Sequence, residues 1–210
     1  MNIISITVST NYSDLLCYVL DNNHKHFKHW IFITDKNDKE TIELINQYEN
    51  TTVLFFDFQE GGRYFNKGGA MQKGQQYAYE NFPNDWYLNI DSDICLENDF
   101  KEYIDNYETS LLENYIYGST KRYDYLSLKD YNNRENYFPY PLHRRALGFF
   151  QLYKEKSYYN HSHTCGGCDM DFLSNFGCRE LFLDGVICNH LGNSGTHWQG
   201  RINKTEDFTH

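Results

Sequence analysis

Two aspartates one residue apart, Asp91 and Asp93, follow directly on the run Trp86-Tyr87-Leu88-Asn89-Ile90. Aromatic and branched residues make 86–90 a buried strand, so the pair sits where a strand stops and an acidic turn begins. The carboxyl edge of an open α/β sheet is where ligands bind. Two carboxylates at this spacing offer hard oxygen ligands to Mg²⁺ or Mn²⁺, ions that keep part of their shell for substrate phosphates. Asp-x-Asp by itself arises often by chance; its place behind a buried strand gives it weight. A second cluster, Cys165-Gly166-Gly167-Cys168 with Cys178, Cys188 and His190 downstream, raises a structural zinc site. No second Cys-x-x-Cys or paired histidine follows, so the spacing is poor for zinc. The two glycines better suit a tight turn that brings backbone close to a substrate.

The elements that must position these residues read as alternating strands and helices. Residues 2–8, 30–34 and 52–56 are β-branched or aromatic runs suited to a sheet buried on both faces. Between them lie helices, one after Asn11 or Ser13 as cap and carrying Leu15, Leu16, Val19 and Leu20, the other over 38–48. Strand, helix, strand, helix, strand is the signature of βαβ units and a parallel sheet. Lys67-Gly68-Gly69 opens a helix whose inner face is Ala70, Met71, Gly74, Tyr77 and Ala78, and Pro83 lies beyond its end. A helix is expected over 100–112, a strand over 147–153 and a short helix over 169–176. Two short strands, 181–183 and 186–188, are expected around the turn signal Asp184-Gly185. Twelve of the nineteen tyrosines lie between Tyr103 and Tyr159, with Arg122, Arg134, Arg144 and Arg145 interspersed; loops and strands are expected there.

At 210 residues the chain is expected to be one domain, with a nucleotide-binding half over 1–114 and an acceptor-binding half over 115–210. A net charge of −10 argues against nucleic acid as a partner, because phosphate backbones need a basic face. No apolar run approaches the roughly 20 residues of a membrane span, and no signal peptide is visible. The cytoplasm and free thiols are therefore expected. Oligomeric state is open.

The order of features resembles the GT-A glycosyltransferases, in particular family-2-like nucleotide-sugar transferases. The resemblance rests on Thr34-Asp35 with Asp38-Lys39-Glu40-Thr41, on Phe65-Asn66-Lys67-Gly68, and on Leu88-Asn89-Ile90-Asp91-Ser92-Asp93-Ile94. It continues through Gly167-Cys168-Asp169-Met170-Asp171, His190-Leu191-Gly192 and His197-Trp198-Gln199-Gly200-Arg201. It implies a Rossmann-like GT-A fold: a mostly parallel sheet flanked by helices, with a small C-terminal acceptor-side region. It also implies a divalent metal, Mn²⁺ or Mg²⁺, and a nucleotide diphosphate-sugar donor, with UDP favoured. Thr7, Val8, Ser9, Thr34 and Asp35 match strand ends that hold base and ribose. Lys67 matches a basic residue near the nucleotide. Asp91, with Ser92, matches the ribose side and Asp93 the metal, with Asp91 and the late histidine, His190, in its shell. Asp169 matches the acceptor-side acid that serves as base in inverting members. The usual Glu-Asp before the acceptor helix is here Cys168-Asp169, and Asp171 competes for the role.

Sugar transfer from such a donor needs the leaving diphosphate neutralised, by metal on Asp93 and His190 with Lys67 or Arg201 adding charge. It needs a carboxylate, Asp169, to take the proton of an acceptor hydroxyl, carbohydrate or other. It also needs both substrates held in line, a task to which tyrosine faces are suited. Plainer readings stand beside these: Asp169 as a helix cap, His190 as a core histidine, the tyrosines as packing. A non-catalytic sugar-nucleotide-binding module and a zinc-stabilised interaction domain are the alternatives from other classes. A nucleotidyltransferase ranks below them, since residues 9–14 lack the Gly, Lys and Arg of a phosphate loop.

Overall fold

In the computed structural model, which describes residues 1–141, 145–192, 200–204 and 208, alternate residues of the central strands are buried on opposite faces of one sheet. Ile3, Trp30, Phe32, Trp86 and Leu88 enter one core; Ile4, Ile6, Ile31, Ile33 and Tyr87 enter the other. Such double burial is what a parallel sheet covered by helices on both sides demands. Strands β1 (Ile3–Val8), β2 (His29–Thr34), β3 (Thr51–Phe55) and β4 (Trp86–Ile90) pair in parallel in the order β3-β2-β1-β4. Helix α1 (Ser13–Asn23) buries Leu15, Leu16, Val19 and Leu20 in the first core, where α2 (Lys39–Ile45) adds Ile45. Helix α3 (Lys67–Asn81) lays Ala70, Met71 and Ala78 against the other face. The α/β class expected from the alternation of elements is the one observed.

The sheet continues beyond β4 as a mixed half. Its strands are β5 (Ile94–Leu96), β6 (Ile116–Tyr125), β7 (Phe138–Pro139), β8 (Phe150–Tyr153) and β9 (Glu180–Leu191), in the order β4-β8-β6-β9-β5 with β7 on β6. Pairing is antiparallel at β4-β8, β8-β6, β5-β9 and β6-β7, and parallel at β6-β9. Helices α4 (Phe100–Tyr107), α5 (Leu128–Asn133) and α6 (Cys168–Ser174) complete the chain.

Several local expectations change. The residue before α1 is Tyr12 and makes no side-chain cap. Ser13 is already helical and donates its hydroxyl to Glu40 at 2.7 Å, while Asn11 takes a left-handed turn. The two short strands around Asp184-Gly185 are one strand, β9. Its register against β6 jumps from Ser119 opposite Leu183 to Lys121 opposite Ile187, so the turn signal marks a bulge. The Ser119 and Thr120 hydroxyls donate to the Val186 and Asp184 carbonyls that the bulge leaves unpaired. Helix α4 stops at Tyr107 and α6 begins one residue early, at Cys168. Within the tyrosine-rich segment Tyr117, Tyr125, Tyr153 and Tyr159 are buried, while Tyr107, Tyr137 and Tyr158 stay exposed.

One buried group gives the fold a pH signature. His26 is 1 % exposed, its ring edge-on to Phe27 and Phe100, and neither ring nitrogen has a partner among the described residues. Burial pushes its pKa from 6.5 down to about 4, so the fold holds it neutral. Between those values the unfolded chain binds a proton that the folded one refuses. Stability is therefore complete above the unfolded value and falls as pH drops through the window, by at most about 1.4 kcal/mol per pH unit. Urea unfolding of His26→Leu across that window should give a shallower dependence on pH than wild type; an identical dependence would assign the effect to other groups.

Candidate functional site

The site forms where β4 ends. The Asp91-Ser92-Asp93 turn is closed by the Ile94 amide on the Asp91 carbonyl at 3.3 Å, and β5 starts at once. Because β5 pairs antiparallel with β9, Ile94 lies opposite His190, and the Leu191 amide donates to the Asp93 carbonyl at 2.8 Å. His190 is thereby carried to Asp93: Nε2 lies 3.4 Å from Asp93 Oδ2. On the other side β6 pairs with β9 so that Asp124 flanks His190, with Nδ1 3.4 Å from Asp124 Oδ1. Arg122, two residues earlier on the same face of β6, donates its Nε to Asp124 Oδ1 at 2.7 Å. Its guanidinium lies over the rings of Tyr140 at 4.3 Å and Phe149 at 5.0 Å. Asp93, His190, Asp124 and Arg122 form one buried chain of alternating charge and imidazole.

The opposite wall comes from α3 and α6. Asn66, fully buried, caps α3 by accepting the Gly69 amide at 2.9 Å, which sets Lys67 as the first helical residue. The Lys67 Nζ donates to Asp91 Oδ1 at 2.8 Å and lies 4.0 Å from Asp169 Oδ1. Asp169 stands in the first turn of α6, after Gly167, and caps nothing; its Oδ1 accepts the Cys168 thiol at 3.3 Å. Its carboxylate lies against Gly148, where a Cβ would stand 2.2 Å from Asp169 Cγ. Asp171, by contrast, is exposed and lies off the cleft wall. These residues line a cleft of about 330 Å³ that holds Lys67, Asp91, Ser92, Asp93, Asp169 and His190 together.

The charges there do not balance. Burial disfavours the charge on Lys67, yet Asp91 and Asp169 outweigh it and hold its pKa well above the ordinary lysine range. Burial likewise opposes ionisation of Asp93, but His190, then Arg122 and Lys67, prevail and keep its carboxyl below the usual range. Around the cleft Asp14, Asp91, Asp93, Asp124 and Asp169 face Lys67, Arg122 and Arg201. Among the described residues acids outnumber cations around the cleft, and burial, outweighing the pull of Lys67, raises the Asp91 carboxyl above the usual range. Asp93 Oδ1 is buried with no partner among the described residues, as a carboxylate oxygen reserved for a cation would be. No set of three His, Cys, Asp or Glu side chains among the described residues makes a ready metal cage. Asp93 and His190 thus fit an ion that takes few protein ligands and fills its shell with ligand oxygens.

Other anticipated residues lie elsewhere. Val8 lines the cleft, but Thr7, Ser9 and Thr34 are fully buried. Thr7 Oγ1 donates to the Ile90 carbonyl at 2.9 Å and accepts the Trp30 indole N–H at 2.9 Å, so the strand's alternation has turned it into the core. None of these three side chains lines the cleft. Asp35 lines an adjoining pocket that shares Thr10, Phe65 and Arg201 with the cleft, and its Oδ1 accepts the Asn37 amide at 2.7 Å. Arg201 also lines the cleft wall, but its guanidinium is clamped by both oxygens of Asp14, at 2.5 and 2.7 Å. A cation so matched does not supply charge to a leaving group. His197, Trp198 and Gln199, and Arg144, lie outside the described residues. The zinc cluster does not assemble: Cys168 is buried in the α3 face of the core, Cys188 in the α1 face, and Cys178 is exposed.

Sequence reading passed over Asp124, Asp14 and Gly148. The signal for Asp124 was present: opposite charges at i and i+2 on a strand share a face. Asp14 and Gly148 acquire meaning only through residues far along the chain.

No family model matches the chain, and no curated protein matches it. Solved structures do. A mannosyl-3-phosphoglycerate synthase from Rubrobacter xylanophilus superposes with a TM-score of 0.54 at 13 % identity, over 94 % of this chain and 68 % of that one. A candidate glucose-1-phosphate thymidylyltransferase from Bacillus anthracis gives 0.51 at 13 % identity, over 98 % of both chains. A 4-diphosphocytidyl-2C-methyl-D-erythritol synthase gives 0.51 at 9 % identity, over 98 % of this chain and 95 % of that one. Likeness at such identities establishes the Rossmann-like α/β fold that these proteins share.

The contact between Gly148 and Asp169 is testable without a substrate. Gly148→Ala should destabilise the protein by about 1–3 kcal/mol through overpacking. In an Asp169→Ala background most of that cost should vanish, a coupling that a double-mutant cycle in urea reads directly. Equal costs in both backgrounds would separate the two residues.

Proposed function

We propose that this protein is a metal-dependent glycosyltransferase, moving a sugar from a nucleotide diphosphate-sugar, a UDP-sugar, to an acceptor hydroxyl with inversion. One observation carries the reading: Asp93 and His190 meet, with an orphaned carboxylate oxygen, in the cleft whose far wall presents Asp169. When bound there, Mn²⁺ or Mg²⁺ supplies Lewis-acid neutralisation of the departing diphosphate. Asp93 and His190 hold that ion. Lys67, fixed as a cation, adds a hydrogen-bond donor to the same charge as it develops, loosening its contact with Asp91. Asp169 accepts the proton of the acceptor hydroxyl; Gly148 behind it and Lys67 beside it set the direction of its carboxylate.

The mannosyl-3-phosphoglycerate synthase among the structural neighbours accords with this reading, while the other two bear the names of nucleotidyl-transferring enzymes. Nucleotidyl transfer is disfavoured by the segment after β1, where only residues 9–12 precede α1 and carry no Gly, Lys or Arg. Among the described residues that segment offers a donor phosphate no Gly, Lys or Arg of its own, and the neighbouring Arg201 is taken up by Asp14. A binding module without turnover would keep the same cleft, and Asp169 separates the two possibilities.

A thermal-shift panel of nucleoside diphosphates with and without Mn²⁺ tests the donor and metal. At a hundredfold excess over Kd, UDP with Mn²⁺ should stabilise the fold by about 2.7 kcal/mol, roughly 5–10 °C for a chain of this size. UDP alone should do far less. Slow hydrolysis of the UDP-sugar should be lost in Asp169→Asn while the metal-dependent UDP shift survives. No shift with any nucleotide would overturn the donor assignment, and hydrolysis undiminished in Asp169→Asn would overturn the role of Asp169.

A further inference from the structure

The two cysteines that flank Gly166-Gly167 take no part in the chemistry above, yet both stand beside Asp169. Cys165 lines the cleft and is half-buried; Cys168 is 2 % exposed. The Cys168 sulfur turns back along the chain: its S–H is shared between the Cys165 carbonyl at 3.2 Å and Asp169 Oδ1 at 3.3 Å. The buried sulfur thus already rests against residue 165. The two glycines leave the turn room to close. Both are exposed, Gly167 has φ +82°, and nothing lies within 4 Å of where its Cβ would stand. The two sulfurs differ in their surroundings. Burial pushes both thiols up. At Cys165 the Lys67 ammonium and a hydrogen bond from the Gly200 backbone oppose that rise, whereas at Cys168 the Asp169 carboxylate reinforces it more than Lys67 opposes it.

We infer that Cys165 and Cys168 form a dithiol site that reacts with a small disulfide of the glutathione type and closes to a protein disulfide on the cleft wall. Cys165, which shares that wall with Lys67, is the attacking sulfur. The thiolate is the nucleophile in such exchange. It displaces one thiolate from the incoming disulfide and forms a mixed disulfide. Cys168 then attacks the Cys165 sulfur, the second small thiolate leaves, and the protein S–S bond forms. Two protein thiols are oxidised, one small disulfide is reduced to two thiols, and the two thiol protons pass to them. Closure removes the S–H that Asp169 Oδ1 accepts, so the bond couples the redox state of the turn to that acid. This consequence for turnover rests on the role proposed above for Asp169; the disulfide itself does not.

Protein treated with oxidised glutathione, alkylated and digested without reductant should yield the peptide holding residues 165–168 two hydrogens lighter, and dithiothreitol should restore its mass. In Cys168→Ser a glutathione adduct should persist on Cys165, because no second thiol resolves it; in Cys165→Ser the buried Cys168 should stay a thiol. Cys178 is exposed, so its adduct in the wild type gauges the dose of oxidant. Cys165 and Cys168 that both remain alkylatable at a dose that modifies Cys178 would overturn the inference, as would an adduct on Cys168 with Cys165 free. In Cys178→Ser, which removes the exposed thiol, closure should slow hydrolysis of the UDP-sugar about three- to tenfold, as loss of a hydrogen bond to a carboxylate does, and reduction should restore it. Unchanged hydrolysis in the closed form would overturn the coupling to Asp169. A reduced protein with no Mn²⁺-dependent UDP shift would overturn the donor reading instead, and the peptide masses would still decide the dithiol site.

Discussion

A carboxylate buried at the end of a central strand has to be compensated, and Asp93 imposes that requirement on the whole C-terminal half of the sheet. Removing an ion from water costs several kcal/mol even after relaxation. Asp93 is 9 % exposed, so the partners that keep it ionised must come from protein. His190 comes on β9, opposite Ile94, and Arg122 on β6, while Lys67 adds its charge from the start of α3. The mixed pairing follows from this geometry: β5 leaves the Asp91-Ser92-Asp93 turn in the direction that lets an antiparallel β9 return to the same point.

The two halves of the site are joined by polar contacts in places where apolar packing would do for stability alone. Asn66 Oδ1 accepts the Gly69 and Ser162 amides, both at 2.9 Å, and the Ser162 hydroxyl accepts the Gly68 amide at 2.9 Å. The start of α3, and Lys67 with it, is thereby tied to the loop that leads to Asp169. Beneath the cleft Gln75 donates to Tyr153, Tyr153 to Asn89, and Tyr159 to Gln151, while Gln151 donates to the Ala146 carbonyl. That chain runs from the strand that ends in Asp91 to the turn whose Gly148 supports Asp169. A satisfied buried network holds its members in one arrangement more strictly than a greasy contact. Here it fixes the separation between Asp91 and Asp169.

The parallel half was legible because both faces of each strand are apolar and each helix has a clean inner stripe; Ile3 to Ile6 and Trp30 to Ile33 announce a doubly covered sheet. The mixed half was not. Asp184-Gly185 has the composition of a turn, yet Gly185 is glycine because Tyr103 packs where its Cβ would be, 2.0 Å from the ring. A close approach and a turn favour the same residue for different reasons. Strand parity hid the fate of Thr7, Ser9 and Thr34: a sequence places them at strand ends without saying which face they take. Asp93 and His190 were legible as polar residues at strand ends, and the resemblance matched them to one site; the antiparallel register of β5 on β9 that joins them is not encoded in any local pattern. For the tyrosines the plainer reading, packing, holds at Tyr153 and Tyr159, whose hydroxyls bond within the core.

Arg201 shows how the charge of the cleft constrains its chemistry. Its guanidinium meets both oxygens of Asp14 and donates to the Asn11 carbonyl at 2.8 Å, and the Asn11 amide group donates to the Arg201 carbonyl at 2.9 Å. The pair fastens residues 200–204 onto the start of α1, with Lys204 on Glu40 as a second, exposed tie. A buried, bidentate pair of this kind is strongly costly to break, so Arg201 is committed to holding chain rather than to meeting a ligand. Arg122 is committed likewise, to Asp124. Of the three cations around the cleft, Lys67 alone has both of its acidic neighbours, Asp91 and Asp169, on the cleft wall. An anionic donor entering this space would therefore meet an acidic surface and one lysine already shared. On the function proposed above, its diphosphate would gain a favourable environment with a divalent ion beside it, and the excess of carboxylates would then favour binding rather than oppose it.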